Sequence, residues 1–167
     1  MVFAEICERG PRIFQSPGAF LYAQGGDVLL DFFAEGTPVP QGSKNAYVRG
    51  GRAVLVDTNP RLKSWRATVR DAAEAAIEEA GWETLDEPCR VHLEFTMPKP
   101  KRPRWWVPAV KPDLDKLVRA VFDALTDAGV WRDDSRVVSM EVTKRYESEE
   151  EAAVPGVWVE VQPLNKM

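Results

Sequence analysis

The most regular apolar pattern in the chain runs from Leu114 to Leu125. Apolar side chains recur there every three or four residues, which predicts an amphipathic helix with one buried stripe. Pro112 lies just before this stretch and Gly129 just after it, and these residues suit the start and the end of a helix. The predicted stripe consists of Leu114, Leu117, Val118, Val121, Phe122 and Leu125.

A second helix is predicted from Pro60 to Ala80. Asn59 and Pro60 form a favourable pair of N-cap and first helical position, and Gly81 follows the end of the pattern. The buried stripe of this helix is predicted to consist of Leu62, Trp65, Val69, Ala73, Ala76 and Ile77.

The remaining apolar stretches predict strands. Val28–Phe33 predicts the first, and the apolar stretches on either side of the Gly50-Gly51 pair predict a hairpin. Val91–Met97 alternates apolar and polar residues, and Val137–Tyr146 with Val157–Val161 predicts a closing hairpin. The order is therefore βββαβαββ, which predicts an α+β fold whose mixed or antiparallel sheet has two main helices packed on one face.

Length and composition favour a single domain. A chain of 167 residues can bury one sizeable core. We expect a loosely ordered N-terminal arm at 1–27, the domain itself at 28–163, and a short tail at 164–167. Two cysteines without a pairing pattern favour a reducing cytoplasm, and neither a membrane span nor an export signal is apparent.

Carboxylates lie at both ends of the predicted helix Leu114–Leu125. Asp113 and Asp115 lie at its start, and the adjacent pair Asp133 and Asp134 follows its end. Successive helical side chains are rotated by about 100°, so Asp113 and Asp115 can converge only at an irregular helix start. An extended N-cap conformation of Asp113 would provide that start. These residues are therefore either ordinary helix caps or ligands of a hard metal ion.

The rest of the composition narrows the chemistry. The single histidine, His92, lies in an alternating stretch where we expect it on the solvent side of a strand, and Cys7 and Cys89 lack zinc-ligand spacing. Neither a nucleophilic triad nor a glycine-rich phosphate loop is present. Carboxylates are suitable ligands for Mg²⁺, which can activate water and stabilise charge during phosphodiester hydrolysis.

The distribution of charge matters more than its total. A net charge of −4 argues against a protein that coats DNA through bulk electrostatics. However, the segment between Pro98 and Pro112 contains only basic charges, together with Trp105 and Trp106. It is either a phosphate-binding loop whose tryptophans stack on unpaired bases, or a solvated loop whose tryptophans cover a neighbouring core. Its basic residues are Lys99, Lys101, Arg102, Arg104 and Lys111.

Four short stretches follow one another in a fixed order between Lys111 and Val138. They are Asp113-Leu114-Asp115-Lys116-Leu117, Ala120-Val121-Phe122-Asp123-Ala124-Leu125-Thr126, Ala128-Gly129-Val130-Trp131 and Asp133-Asp134-Ser135-Arg136-Val137-Val138. This ordered set resembles the RusA family of Holliday junction resolvases. A looser stretch, Gly36–Lys44, is similar to the Pro-rich opening of phage-type members, and together the likeness spans roughly residues 28–163.

The resemblance implies which residues act. It assigns magnesium binding and catalysis to Asp113, Asp115 and Asp134, with Mn²⁺ as a substitute metal. The functional lysine of the family falls on Arg119, which keeps the positive charge but cannot serve as a base. Independently of the family, Arg119 lies four residues after Asp115, so it either forms an ordinary ion pair or neutralises the phosphate under attack.

The remaining candidate DNA contacts are basic residues outside the Pro98–Pro112 segment. Lys116 stands where the family usually has an asparagine, and Lys44 ends the Pro-rich stretch. Lys144 follows the aspartate pair on a predicted strand, where it is either a phosphate contact or a solvated side chain. Asp123 is expected to pair with Arg119 or with a neighbouring segment.

The resemblance implies a Mg²⁺-dependent endodeoxyribonuclease that resolves four-way DNA junctions in recombination and repair. It further implies a homodimer, because two symmetric nicks need two equivalent sites. Such a protein would act in the cytoplasm, as a bacterial enzyme or as a phage protein in its host. The alternatives are a noncatalytic DNA-binding or replication-associated module, and a nuclease for flaps or other branched DNA.

Overall fold

The computed structural model describes residues 29–42, 45–49, 52–56, 60–149 and 151–164. The predicted arm, Lys44 and the last three residues of the predicted tail lie outside these ranges. Within them, the elements in chain order are β1 (Leu30–Glu35), β2 (Asn45–Arg49), β3 (Arg52–Val56), α1 (Pro60–Ala80), β4 (Cys89–Met97), α2 (Leu114–Ala128), a 3₁₀ turn (Asp134–Arg136), β5 (Val137–Tyr146) and β6 (Gly156–Pro163).

Four of these strands form the main sheet, in the order β1-β6-β4-β5. β4 and β5 are parallel, whereas β6 is antiparallel to both β1 and β4. The sheet is therefore mixed, and the α+β class is confirmed. β2 and β3 pair only with each other in a separate two-stranded sheet. The main sheet and its helices thus follow the order βαβαββ, not the predicted βββαβαββ.

The prediction that β5 and β6 form a closing hairpin is wrong. β6 crosses to the far side of β4 and lies between β1 and β4. The burial of the two strands agrees with this placement, since β6 is largely buried while residues 138–141 of β5 are exposed. A strand buried on both faces suits the interior of a sheet, and an exposed strand suits its edge.

One face of the main sheet packs against both helices. Alternate residues of β1, β4 and β6 join the buried stripes of α1 and α2 in one hydrophobic core. The predicted stripes are largely confirmed, although Ile77, Leu114 and Phe122 are only partly buried. The members of the α2 stripe that are fully buried or nearly so are Leu117, Val118, Ala120, Val121, Ala124 and Leu125.

The opposite face of the sheet carries polar side chains in register. His92 lies beside Glu160, with 3.0 Å between His92 Nδ1 and Glu160 Oε2. The side chain of His92 is only 26% exposed. The prediction of a solvent-facing strand residue is therefore right about the face and wrong about the degree of exposure.

The end of α2 and the turn after it are held by specific hydrogen bonds. Gly129 adopts a left-handed conformation with φ of 80°, and its N–H caps the helix. Trp131 is buried and donates from Nε1 to Thr126 Oγ1 at 2.8 Å. Val137, at the start of β5, is only partly buried.

The unit β4-α2-β5 sets the direction of α2. Because β4 and β5 are parallel, with Cys89 opposite Val137 and Met97 opposite Tyr146, α2 must return from the Met97 end of the sheet to the Cys89 end. Its 15 residues, at about 1.5 Å per residue, span roughly 20 Å. The start of α2 and the turn before β5 therefore lie at opposite ends of the sheet.

In the described part of the chain, no helix has the length and apolar character needed to cross a membrane.

We expect Gly156→Ala to destabilise the fold. A Cβ at this position would overlap the Phe33 ring and would lie 2.5 Å from the carbonyl oxygen of Ala34. Overpacking of this kind costs about 1–3 kcal/mol. Denaturant unfolding would measure the loss, with Ser139→Ala at an exposed position of β5 as a control that should change stability by less than about 0.5 kcal/mol. Unchanged stability of the Gly156 variant would contradict this packing.

Candidate metal and DNA site

Asp113 begins α2 in the extended conformation that the sequence predicts. Its φ and ψ are −68° and 141°, and its side chain makes no capping hydrogen bond to the helix. The carboxylate instead lies 3.3 Å from Lys116 Nζ, and its side chain is 50% exposed. Asp113 is thus an N-cap by position, while its oxygens remain accessible to a ligand.

Asp115 lies in the first turn of α2 and is exposed. No hydrogen bond or ion pair within the described residues involves its carboxylate. The helix dipole favours negative charge at this position. The start of α2 therefore presents two accessible carboxylates, of which only Asp113 forms an ion pair within the described part of the chain.

Asp133 and Asp134 differ in their contacts. Asp133 caps the 3₁₀ turn by accepting a hydrogen bond from the Ser135 N–H at 3.0 Å. Hydrogen bonds from Ser135 hold the pKa of Asp133 below its ordinary value. Asp134 is exposed, and its carboxylate has no hydrogen bond or ion pair within the described residues.

An ion-pair network fixes the turn that carries Asp134. Arg136 donates to Asp86 at 2.6 and 3.0 Å, and Arg132 donates to the other oxygen of Asp86 at 2.8 Å. The hydrogen bond from Arg136 is the main reason that the pKa of Asp86 is lowered. Asp86 lies shortly before β4, so this network holds the turn at the Cys89 end of the sheet.

The structure does not bring the three predicted metal ligands together within one chain. Asp113 and Asp115 lie at the Met97 end of the sheet, and Asp134 lies at the Cys89 end, roughly 20 Å away along α2. Consistently, no group of three or more His, Cys, Asp or Glu side chains in the described ranges could hold a metal ion. The expectation of a three-carboxylate cluster inside a single chain is therefore wrong.

Arg119 and Asp123 lie further along α2. Arg119 is exposed and forms no ion pair with Asp115 within the described residues, so the ordinary i, i+4 pair is not observed. Asp123 pairs with Arg66 of α1 at 3.3 Å, and Arg66 also contacts Asp127 at 2.7 Å. Asp123 thus links the two helices, which confirms the predicted pairing with a neighbouring segment.

The segment Pro98–Pro112 forms an exposed loop at the same end of the sheet as Asp113. All its basic residues are exposed, and Arg104 lies over the Trp105 ring at 5.1 Å from the centroid. Trp106 is 89% exposed, so within this chain it covers no core. The loop thus presents cations and an aromatic surface next to the carboxylates.

An open groove borders Asp113, and the sequence analysis missed several of its residues. Its walls are the Pro-rich segment 36–40, one face of α1, and the start of α2 with Lys111 and Lys116. Gln41 fixes this arrangement by donating its backbone N–H to the carbonyl of Lys116 at 2.9 Å. The contribution of α1 consists of Arg61, Ser64, Trp65 and Thr68, whose three- and four-residue spacing was the signal that could have revealed this shared face.

The residues at the start of α2 fit magnesium in part. Two accessible carboxylates and the surrounding water provide the oxygen donors that Mg²⁺ prefers, and Mg²⁺ is commonly held by one or two carboxylates. Lys144, a predicted DNA contact, lies at the same place but donates to the carbonyls of Val110 and Pro112. Within the described part of the chain, no third carboxylate joins the two at the start of α2 in a group that could hold a metal ion.

Comparison with known proteins identifies the family. The family described as "Endodeoxyribonuclease RusA" matches residues 35–161. The chain is 33% identical over 102 residues to the crossover junction endodeoxyribonuclease RusA of Escherichia coli strain K12, which covers 61% of this chain and 74% of that protein. The proteins of the same name from Shigella sonnei and Enterobacteria phage 82 are 33% and 32% identical over the same length, with the same coverage.

The matched residues include both helices, β4, β5 and all the candidate carboxylates. Since the match extends over most of the sequence, the chain belongs to the RusA family of endodeoxyribonucleases.

Proposed function

We propose that this RusA-family endodeoxyribonuclease resolves four-way DNA junctions as a homodimer with two Mg²⁺-dependent sites. The junction activity is in the names of its relatives, the crossover junction endodeoxyribonucleases. The observation that carries the site assignment is the pair of exposed carboxylates of Asp113 and Asp115. Although Asp113 occupies the N-cap position, its carboxylate makes no capping hydrogen bond, and Asp115 lies within the first turn. Each site introduces one nick, and two symmetric nicks separate the junction.

Each site is completed across the dimer. One chain provides Asp113 and Asp115, and the second copy provides its Asp134. The main support is topological, because the crossover keeps Asp134 roughly 20 Å from Asp113 within a chain. A two-fold axis supplies the missing carboxylate to both sites at once, since the same surface acts in each direction.

The edge strand β5 is the dimer surface that suits this arrangement. β5 is the outermost strand of the main sheet, and it exposes Val138 by 63% and Met140 by 51%. Antiparallel pairing of β5 with its copy would place the start of one strand beside the end of the other. Asp134 precedes the start of β5, and Lys144 near its end contacts the backbone next to Asp113. The same pairing would also satisfy the open strand edge.

The residues around the carboxylates have separate roles. Bound Mg²⁺ supplies an acidified water and charge stabilisation on the phosphate. Arg119 donates hydrogen bonds to the non-bridging oxygens of the phosphate under attack, and it remains charged throughout. Lys116 tethers the carboxylate of Asp113 in the free protein and is placed to contact phosphate when the metal takes over that carboxylate.

The loop Pro98–Pro112 binds the DNA backbone and the branch point. Its cations attract phosphates, while the exposed indole of Trp106 stacks on bases that are unpaired where the strands exchange. The groove beside Asp113, with Lys111 and Lys116 on its wall, leads one strand to the carboxylates. Lys44, a predicted DNA contact at the end of the Pro-rich stretch, lies outside the described residues and stays a prediction.

We expect Asp113→Asn and Asp134→Asn each to abolish cleavage of a labelled four-way junction. Each substitution removes the charge of a proposed metal ligand. Loss of a group that only orients a metal ligand already lowers activity by about 10- to 100-fold, so we expect the cleavage rate to fall by at least about 100-fold. Binding of the junction in gel-shift assays should persist, because the basic surface is unchanged. Parallel assays with flap and duplex DNA, with and without Mg²⁺, would show whether the enzyme instead prefers another branched substrate.

Asp133→Asn is the matched control for the Asp134 variant. Asparagine caps helices about as well as aspartate, so the fold and the cleavage rate should be retained. Cleavage that is lost in the Asp133 variant and retained in the Asp134 variant would overturn the assignment of the metal role to Asp134.

A mixing experiment would test the site shared between two copies. We expect equal amounts of the Asp113→Asn and Asp134→Asn proteins, each inactive alone, to regain nicking after subunit exchange. A heterodimer of these two has both defects in one site and an intact second site, and random exchange makes about half of the dimers heterodimers. The measurement is the appearance of singly nicked junction on a denaturing gel.

The control mixture combines the Asp113→Asn and Asp115→Asn proteins. In a shared site both defects come from the same end of α2, so every site keeps one defect and nicking should not return. If each site lay within a single chain, neither mixture would regain activity, and that result would exclude the shared site.

We expect Arg119→Ala to lower the single-turnover cleavage rate by about 100-fold, the range seen when one preorganised donor to a transition state is removed. Junction affinity should change far less, because many other cations bind the backbone. Arg119→Lys should retain part of the rate, since it keeps the charge. A loss of affinity with an unchanged single-turnover rate would show that Arg119 only anchors DNA.

A further inference from the structure

Lys144 connects β5 to the backbone beside the metal-binding end of α2. Its Nζ donates to the carbonyl oxygen of Val110 at 2.8 Å and to that of Pro112 at 2.9 Å. Lys144 lies opposite Phe95 of β4, near the Met97 end of the sheet. Two of the three ammonium donors are thus occupied by the backbone of the residues that lead into Asp113.

Asp113 needs such an external support because the usual one is not used. An N-cap side chain ordinarily fixes its own orientation by accepting a hydrogen bond from the first helical turn. The side chain of Asp113 makes no such bond, and the first helical bond to its carbonyl, from the Leu117 N–H, is 3.3 Å long. The Pro112 carbonyl held by Lys144 belongs to the peptide that joins Pro112 to Asp113. Lys144 therefore restrains the backbone that aims the Asp113 carboxylate.

The end of β5 also holds the other end of the loop Pro98–Pro112. Glu147, which directly follows β5, donates its N–H to the carbonyl of Met97 at 2.9 Å. Its Oε1 accepts a hydrogen bond from the Lys99 N–H at 2.8 Å. The loop is therefore anchored on β5 where it begins, through Glu147, and where it ends, through Lys144.

We infer that Lys144 is a positioning residue, which holds Asp113 in its metal-binding orientation and fixes the end of the DNA-binding loop, and that it is not a phosphate contact. The inference rests on the proposed function for the roles of Asp113 and of the loop. The carbonyls of Val110 and Pro112 hold the Lys144 ammonium against the loop backbone, so it is not directed toward solvent. The side chain of Lys144 is also partly buried, whereas the loop cations, such as Lys101 and Arg104, are exposed and accessible to phosphate.

The variant Lys144→Met tests this role, since it keeps the length of the side chain and removes the donors. The first measurement is amide hydrogen exchange at two hydrogen-bonded positions that flank the carbonyls held by Lys144, in the full-length protein without DNA or added metal. These are the N–H of Ala109, which donates to the Val107 carbonyl, and the N–H of Leu117, which donates to the Asp113 carbonyl. We expect exchange to become at least about 10-fold faster there, because removing the restraint lets the backbone between them open locally. Lys144→Arg, which keeps the charge and the donors, should retain most of the protection.

The second measurement separates positioning from phosphate binding. A lysine that contacts phosphate contributes about 0.9 to the slope of log affinity against log salt concentration. We expect the slope for junction binding by Lys144→Met to equal that of the unchanged protein. The single-turnover rate should fall by about 10- to 100-fold, with a higher Mg²⁺ concentration needed for half-maximal rate, as for the loss of a group that orients a metal ligand.

Lys63→Met is the matched control, because Lys63 is an exposed lysine of α1 that lines neither the groove nor the loop. It should leave the exchange, the salt slope and the rate unchanged. A reduced salt slope with unchanged exchange in Lys144→Met would overturn the inference and assign Lys144 to phosphate binding. Unchanged exchange and unchanged rate would overturn it as well.

Failure of the proposed function would look different. If the unaltered protein did not cut junctions in Mg²⁺, the exchange measurement would still report whether Lys144 holds the segment that leads into Asp113. If Lys144→Met did not fold, Lys144→Arg would carry the test, since rapid exchange in that folded variant would contradict the restraint described above.

Discussion

The parallel pairing of β4 with β5 is the constraint on which the rest of the structure depends. Two parallel strands joined by one helix require that helix to run back along the sheet. α2 does so with its buried stripe against the core, where each large apolar side chain contributes about 1.5–3 kcal/mol. The parallel pairing therefore fixes the direction of α2, and burial of the stripe holds the helix against the sheet. The separation of the acidic residues at the two ends of α2 follows from that direction.

This separation explains why a single chain does not form the site. The carboxylates at the start of α2 and the carboxylate of Asp134 are all accessible. At the start of α2, Lys116 pairs with Asp113. At the turn that carries Asp134, the Asp133 cap and the Asp86–Arg136 pair stabilise the backbone. Among the residues that the structure describes, neither end contains three acidic side chains grouped closely enough to hold a metal ion. The proposed two-fold assembly through the exposed edge of β5 would meet both needs, because it would cover apolar side chains and bring unlike ends of the two chains together. Assembly would then be a condition for metal binding, and free subunits would lack activity.

Charge is arranged so that an acidic protein can bind DNA at one end. The basic loop Pro98–Pro112 extends from the end of the sheet where Asp113 lies, and it contains no acidic residue. Its two anchors on β5 limit the conformations that it can adopt, so less entropy is lost when DNA binds. The same anchors link the position of the loop to the backbone of Asp113. The loop and the proposed metal ligand Asp113 are therefore connected through Lys144 and the backbone of Pro112.

The sequence by itself determined the local features of this protein. The 3.6-residue period predicted α1 and α2. Gly129 predicted the end of α2, and the N-cap position of Asp113 predicted the extended start. Each of these features depends on residues that are close in the chain. The family resemblance, not a local pattern, assigned the metal role to Asp134 instead of Asp133, and that assignment stays a prediction. The family resemblance, carried by short ordered motifs, is confirmed by the match to residues 35–161.

Only the tertiary structure decided how these elements are arranged. The place of β6 between β1 and β4, the separate sheet of β2 and β3, and the distance from Asp113 to Asp134 depend on pairing between strands far apart in sequence. Local periodicity gives the faces of a strand but not its neighbours, so a plausible hairpin of β5 and β6 was predicted where none forms. The contact of Lys144 with the backbone before Asp113 likewise joins residues that no local pattern relates. For this reason the sequence could name the acidic residues, and the fold alone showed that one chain does not bring them together.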